Sequence, residues 1–349
     1  YDFIYINNGD GTFRDESKTL VAKTSFNAMG ADIADINNDG LLDIYVVDMD
    51  MENHYSKKTF MLDNTEKRIT SLMRSGYHYQ YRSNSLQLNN GRGQLSEISK
   101  ASGIATTNWS WTSLFVDIDN DSYKDLLVTN GYIRDLHIDI QDNYHHLRKY
   151  CRQGREKQYY ELYNQIPFLR LNNSNYIFRN NGDLTFTDMK HDWGIYRPSV
   201  TYGGAYADLD MDGDIDFVIS NINEPVFIYK NKSEKFYENN YIRFKLEGYA
   251  KNSRGYGTKV FIYHDGETQL QHQSPVKGYL SNSEAILHFG VGKNERIDSV
   301  VVLWPDHKRQ ILKDLEVNQI VSIRHADAVD YTPAPKQKGA ELFAEVSGE

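Results

Sequence analysis

Three short stretches concentrate oxygen-bearing side chains at one fixed spacing. They are Asp35-Ile36-Asn37-Asn38-Asp39-Gly40-Leu41-Leu42-Asp43, Asp117-Ile118-Asp119-Asn120-Asp121-Ser122-Tyr123-Lys124-Asp125 and Asp208-Leu209-Asp210-Met211-Asp212-Gly213-Asp214-Ile215-Asp216. Oxygen side chains fall at positions 1, 3, 5 and 9 of each, and Gly holds position 6 in the first and third. Alternating carboxylates in a tight loop aim several hard oxygens at one centre, and position 7 adds a backbone carbonyl. Such a set suits calcium, which takes six to eight oxygen ligands at about 2.3–2.6 Å. The expected ligands are Asp35, Asn37, Asp39, Leu41 and Asp43, then Asp117, Asp119, Asp121, Tyr123 and Asp125, then Asp208, Asp210, Asp212, Asp214 and Asp216. Left bare, these carboxylates would repel one another or take up protons. Three Ca²⁺ ions would move the formal charge from −9 to about −3. Ser122 stands where the other two loops have Gly, so a positive φ there carries strain.

An EF-hand shares this opening spacing but needs flanking helices and a bidentate Glu at position 12. Position 12 is Val46, Val128 or Ile219, inside β-type runs such as Ile44-Tyr45-Val46-Val47. The expectation is a calcium loop within a β-hairpin. Each loop also lies 28 residues after the first Asn of an Asn-Asn-Gly turn, counting Asn7 to Asp35, Asn89 to Asp117 and Asn180 to Asp208. Asn and Gly accept positive φ, and apolar strand residues precede each turn. The unit reads as a hairpin, a connection and an acidic loop between two strands. A degenerate fourth start appears at Ile228-Tyr229-Lys230-Asn231-Lys232. Repeated antiparallel units of this kind predict an all-β fold of propeller blades. The unit spacing exceeds that of common blades, and the excess falls in insertions near 49–82 and 135–170. Residues 141–165 are polar and Tyr-rich, which predicts one or two surface helices.

The repeated loops and turns resemble FG-GAP or VCBS repeats, the calcium-containing blades of integrin-type propellers, over about residues 1–238. Residues 239–327 read as a small β-sandwich or barrel, with alternating strands such as Ser299-Val300-Val301-Val302-Leu303-Trp304. The landmarks Asn252-Ser253-Arg254-Gly255, Gly278-Tyr279-Leu280-Ser281, His288-Phe289-Gly290-Val291-Gly292 and Trp304-Pro305-Asp306 resemble the ASPIC/UnbV domain. Residues 328–349 read as a linker, with Ala340-Glu341-Leu342-Phe343 resembling the start of a further repeat region. The order of modules resembles large surface proteins of Bacteroidetes-type bacteria. That resemblance implies a cell-surface, outer-membrane or secreted location.

Function classes narrow from here. Lys plus Arg is 39 against 48 Asp plus Glu, with no dominant basic run, which argues against a nucleic-acid partner. One cysteine, Cys151, allows neither an intrachain disulfide nor a Cys-based zinc site. No apolar run reaches the ~20 residues that cross a bilayer. His145-His146, His191-Asp192, His288 and Cys151 lack the partners of a catalytic constellation, and Gly255-Tyr256-Gly257 opens no helix. Tyr77, His78, Tyr79, Tyr81, Tyr159, Tyr160 and Tyr163 suit either sugar stacking and protein docking or simple cover of the propeller rim. The expectation is a non-catalytic, extracytoplasmic, calcium-binding recognition or scaffold protein with a protein or glycan partner. The alternatives are an accessory subunit of a SusC/SusD-type outer-membrane importer and a carbohydrate-active propeller enzyme.

Overall fold

A computed structural model describes residues 2–52, 54, 57, 66–132, 149, 152–155, 157, 158, 160, 161 and 173–332. Their regular secondary structure is nearly all strand, arranged as propeller blades followed by a β-sandwich. His145, His146, Cys151, Tyr159 and Tyr163 lie outside the described residues, as does most of 141–165. A helix, Glu66–Arg74, lies in the first insertion.

The first blade places Ala31–Ala34, Asp43–Val46, Ser85–Asn89 and Leu95–Glu97 side by side, each antiparallel to the next. The second repeats this with Asn108–Val116, Asp125–Asn130, Tyr176–Asn180 and Phe186–Asp188. The third has Thr201–Ala207, Asp216–Asn221 and Phe227–Tyr229, with no fourth strand among the described residues. An amino-terminal hairpin, Tyr5–Asn7 with Phe13–Asp15, has the pairing of a third and fourth strand.

In every blade the acidic loop joins strands one and two, and strands two and three are joined by 47–84, 131–175 or 222–226. The asparagine turn therefore closes the blade whose loop precedes it, and the 28-residue interval crosses into the next blade. That interval is constant because the passage between blades is. Leu95 to Ile104 and Phe186 to Ile195 have the same length and the same Gly before the final Ile. Ile228-Tyr229-Lys230-Asn231-Lys232 likewise ends the third blade and does not open a fourth unit.

Period-2 alternation explains how one strand serves two cores. Asn108–Val116 is buried along its whole length. Phe115, Leu126, Val128, Tyr176 and Phe178 point into the core shared with the first blade, around Ile36, Tyr45 and Leu86. Their neighbours Leu114, Val116, Leu127 and Ile177 point the other way, toward Ile215, Phe217 and Ile219 of the third.

The C-terminal domain stacks two sheets. In one, Asn240–Glu247 pairs antiparallel with Ile286–Gly292 and parallel with Gln319–Arg324. The other orders Glu267–His272, Lys259–His264, Arg296–Leu303, Lys308–Glu316 and Val329–Asp330. Ile242, Phe244 and Leu246 meet Val260, Ile262, Val300, Val302 and Trp304 between them.

Candidate metal centres

The three loops are built alike. Oδ2 of the position-1 aspartate accepts the N–H of position 6: Gly40 to Asp35 at 3.0 Å, Ser122 to Asp117 at 2.9 Å, Gly213 to Asp208 at 3.1 Å. Oδ1 of position 5 accepts the N–H of position 7 in all three, at 2.8 to 3.1 Å. The position-9 carboxylate is gripped on both sides. Its Oδ2 accepts the N–H of position 2, and its Oδ1 accepts the N–H of the asparagine at or just past the end of the third strand, Asn89, Asn180 or Asn231, at 2.7 to 2.9 Å. These bonds curl the backbone so that positions 4 and 6 both take positive φ. Position 4 is Asn38, Asn120 or Met211 at 58 to 62°. Ser122 at position 6 adopts φ 87°, and its N–H still reaches Asp117.

The same asparagines tie the loops to one another. Asn180 Nδ2 donates to the Ile36 carbonyl at 2.8 Å, and Asn231 Nδ2 donates to the Ile118 carbonyl at 2.8 Å. Each hairpin thus holds its own loop through its backbone and the preceding blade's loop through its side chain.

Each loop leaves at least one buried oxygen with no donor among the described residues: Asn37 Oδ1 and Asn38 Oδ1 in the first, Asp119 Oδ1 in the second and Asp208 Oδ1 in the third. An unmet buried acceptor is costly. Carboxylate oxygens of Asp117, Asp119 and Asp125 lie within 4.8 Å of one another, as do those of Asp208, Asp210 and Asp216. Converging oxygens plus an oxygen lacking a donor fit a hard divalent cation. Burial pushes Asp35 up to about 6 and Asp43 up to about 7, and nearby Asp39 adds to both. Burial also raises Asp117 and Asp125 well above the usual carboxylate range, and Asp121 to about 6. A carboxylate group gathered at Asp212, Asp214 and Glu234 is of a different kind. Both Asp214 oxygens accept hydrogen bonds, from Asn120 Nδ2 at 3.0 Å and Glu234 N–H at 2.9 Å.

The spacing of the loops gave no sign of two built-in cations. Arg179 donates to Asp119 at 2.9 Å and to Asp121 at 2.7 Å. Lys230 pairs with Asp210 and lies 3.3 Å from Asp212, holding Asp210 below the usual carboxylate range. Both basic residues immediately precede the turn asparagine, and the first blade has Leu88 at that place. The signal was present one residue upstream of a motif already in hand.

Nor did the sequence place the C-terminal domain over the loops. Leu270 N–H donates to Asp35 at 3.2 Å, and buried Arg243 donates to Asp208 at 2.7 Å while pairing with Glu284. Over the second loop the backbone itself approaches: a Cβ on Gly290 would sit 2.1 Å from Asp117 Oδ2. Gly292 N–H donates to the Asn120 carbonyl at 2.9 Å, and Lys124 Nζ donates to Gln269 at 3.0 Å. His288 Nε2 lies 2.7 Å from Asn120 Oδ1, and burial holds the imidazole well below its ordinary pKa, so it donates as the neutral ring. Gly278–Ser281 forms a hook on the innermost strands. Gly278 N–H donates to the Ala31 carbonyl at 3.0 Å, Tyr279 N–H to Thr112 Oγ1 at 3.1 Å, and the Tyr279 ring lies 5.0 Å from Trp111. Two of the landmark motifs, at 278–281 and 288–292, are thus docking residues.

Among the exposed aromatics, Tyr77 and Tyr79 lie at the surface, and Tyr81 carries Lys23 and Lys100 over its ring at 5.5 and 4.8 Å.

Residues 1–46 match the profile described as FG-GAP-like repeat, and residues 248–330 match the one described as ASPIC and UnbV. The chain carries an FG-GAP-like repeat at its amino end and an ASPIC and UnbV domain at its carboxyl end. It is similar to cartilage acidic protein 1 of Xenopus tropicalis, 25% identical over 351 residues, covering 96% of this chain and 43% of the frog protein. The human protein of that name is 26% identical over 204 residues, covering 54% of this chain and 29% of its own length. The chain thus spans less than half the length of these curated relatives. No helix among the described residues is long and apolar enough to cross a membrane.

Proposed function

We propose that this chain is a non-catalytic extracellular scaffold whose blades are braced by calcium at the three acidic loops and whose outer surface binds a protein or glycan. One observation carries the reading: the second and third loops each converge three carboxylates, and every loop leaves at least one buried oxygen without a donor among the described residues. A cation there would complete the oxygen's coordination and relieve the desolvated carboxylates. The position-9 aspartates are held by two backbone N–H groups each, so they serve geometry more than proton transfer. FG-GAP-like repeats and the likeness to cartilage acidic protein 1 support an extracellular setting. The test is calcium titration of the chelated protein by calorimetry. Three sites per chain, lost singly on substitution of Asp39, Asp119 or Asp210, is the expected result. Binding of no calcium by folded protein at neutral pH would overturn the reading.

A further inference from the structure

The three loops meet one requirement in two ways. In each, the position-5 carboxylate turns Oδ1 to the loop's own backbone and gives Oδ2 to a side-chain donor. In the second loop the donor is Arg179, whose Nη2 lies 2.7 Å from Asp121 Oδ2 while its Nε lies 2.9 Å from Asp119 Oδ2. In the third it is Lys230, paired with Asp210 Oδ2 and 3.3 Å from Asp212 Oδ2. The first blade has Leu88 where these cations stand. There the position-3 residue supplies the donor itself: Asn37 Nδ2 donates to Asp39 Oδ2 at 3.1 Å.

Both solutions leave position 3 in the same state. Asn37 Oδ1 and Asp119 Oδ1 are buried oxygens with no donor among the described residues, and Asp119 as a whole is 1% exposed. The other terminal atom of each side chain is committed sideways, Asn37 Nδ2 as a donor and Asp119 Oδ2 as an acceptor. Position 3 and the residue before the turn asparagine therefore form a neutral pair in every blade: Asn37 with Leu88, Asp119 with Arg179, Asp210 with Lys230. An amide carries one oxygen and one NH₂ group, an ionised carboxylate carries acceptors alone, and a guanidinium carries donors alone. Neither member of such a pair can be exchanged without the other.

We propose that Arg179 and Lys230 are positioning residues for the bound ion, each matched to an aspartate at position 3, and that Asn37 beside Leu88 is the self-contained equivalent. The proposal rests on calcium occupying these loops and names the residues that aim a ligand at it. An asparagine at position 119 beside Arg179 would set donor against donor. The amide would then turn its oxygen to the guanidinium and its NH₂ group into the centre, where a donor excludes a cation. Removing the guanidinium as well frees that NH₂ group to bond Asp121 as Asn37 bonds Asp39, and the amide oxygen faces the centre again. A second change thus restores what the first destroys, although it deletes two more hydrogen bonds.

The test is calorimetric calcium stoichiometry on the full chain. The parent should bind three ions, Asp119→Asn two, and Asp119→Asn with Arg179→Leu three again. If Arg179 merely braced the blade, the double variant would be at least as impaired as the single one. Two ions bound by the double variant, or three bound by Asp119→Asn alone, would overturn the proposal. Asp210→Asn with and without Lys230→Leu repeats the comparison where both side chains are largely exposed, at 40% and 50%, so neither change disturbs a core. The same loss and recovery is expected there, and a loss without recovery would overturn the proposal. No calcium bound by the parent would overturn the metal reading and this one with it, whereas three ions in the parent without recovery in the double variants would overturn this one alone.

Discussion

Calcium affinity at the first loop should depend steeply on pH, because the loop must shed protons before it can hold a cation. Asp35 and Asp43 are raised by burial to about 6 and about 7. Since both folded values lie above the ordinary value of about 3.9, the cation-free folded protein binds the extra protons between about pH 4 and pH 7. Its stability therefore falls as pH rises through that window, and calcium binding strengthens over the same range. At pH 5 about one Asp43 in a hundred and about one Asp35 in ten is ionised, so calcium binds roughly a thousandfold more weakly than at pH 8. That factor is about 4 kcal/mol. Two ordinary carboxylates would be more than nine-tenths ionised at pH 5 and would change the affinity less than about twofold. Isothermal titration at pH 5, 6, 7 and 8 reads this directly. Repeating the pH 6 titration in buffers of different ionisation enthalpy counts the protons released. An affinity at the first loop that varies less than about tenfold between pH 5 and pH 8 would refute the reasoning.

Removing bound calcium should lower the melting temperature by roughly 10 °C per site saturated at a thousand times its Kd, read by calorimetry with and without chelator. Asp119→Ala removes a donorless oxygen together with an Arg179 partner, so calorimetric stoichiometry should fall from three to two with the other sites unchanged. Arg243→Met strands Asp208 without its buried cation and should cost about 3–5 kcal/mol in denaturant unfolding. Gly290→Ala would drive a methyl group into Asp117 and the Asn120 backbone, which should part the sandwich from the loops and open new sites to limited proteolysis.

The acidic loops were legible because most positions answer to chemistry within nine residues: a carboxylate to take a nearby N–H, an Asn or Gly at most of the positive-φ positions, an apolar β-type flank. The blade architecture was legible for the same reason, through the Asn-Asn-Gly turns. The blade boundary was not, since a constant interval says nothing about where one sheet ends and only pairing, such as Asn180 with Phe186, decides it. The cover over the loops was invisible because it joins residues far apart in the chain. His288 meets Asn120 across 168 residues, and Leu270 meets Asp35 across 235. Gly290 shows the difficulty at its sharpest: its importance lies in an atom it lacks, which no pattern of donors and acceptors reveals.

The side-chain ties from Asn180 and Asn231 to the neighbouring loops fix the spacing of adjacent blades at the end that carries the acidic loops. The passages between second and third strands depart elsewhere, and they range from five residues at 222–226 to far longer stretches. Such an architecture behaves as a chassis. Foreign sequence grafted into those passages should leave the angular pitch of the wheel unaltered, so that new recognition surfaces arise by insertion with no retuning of the hub.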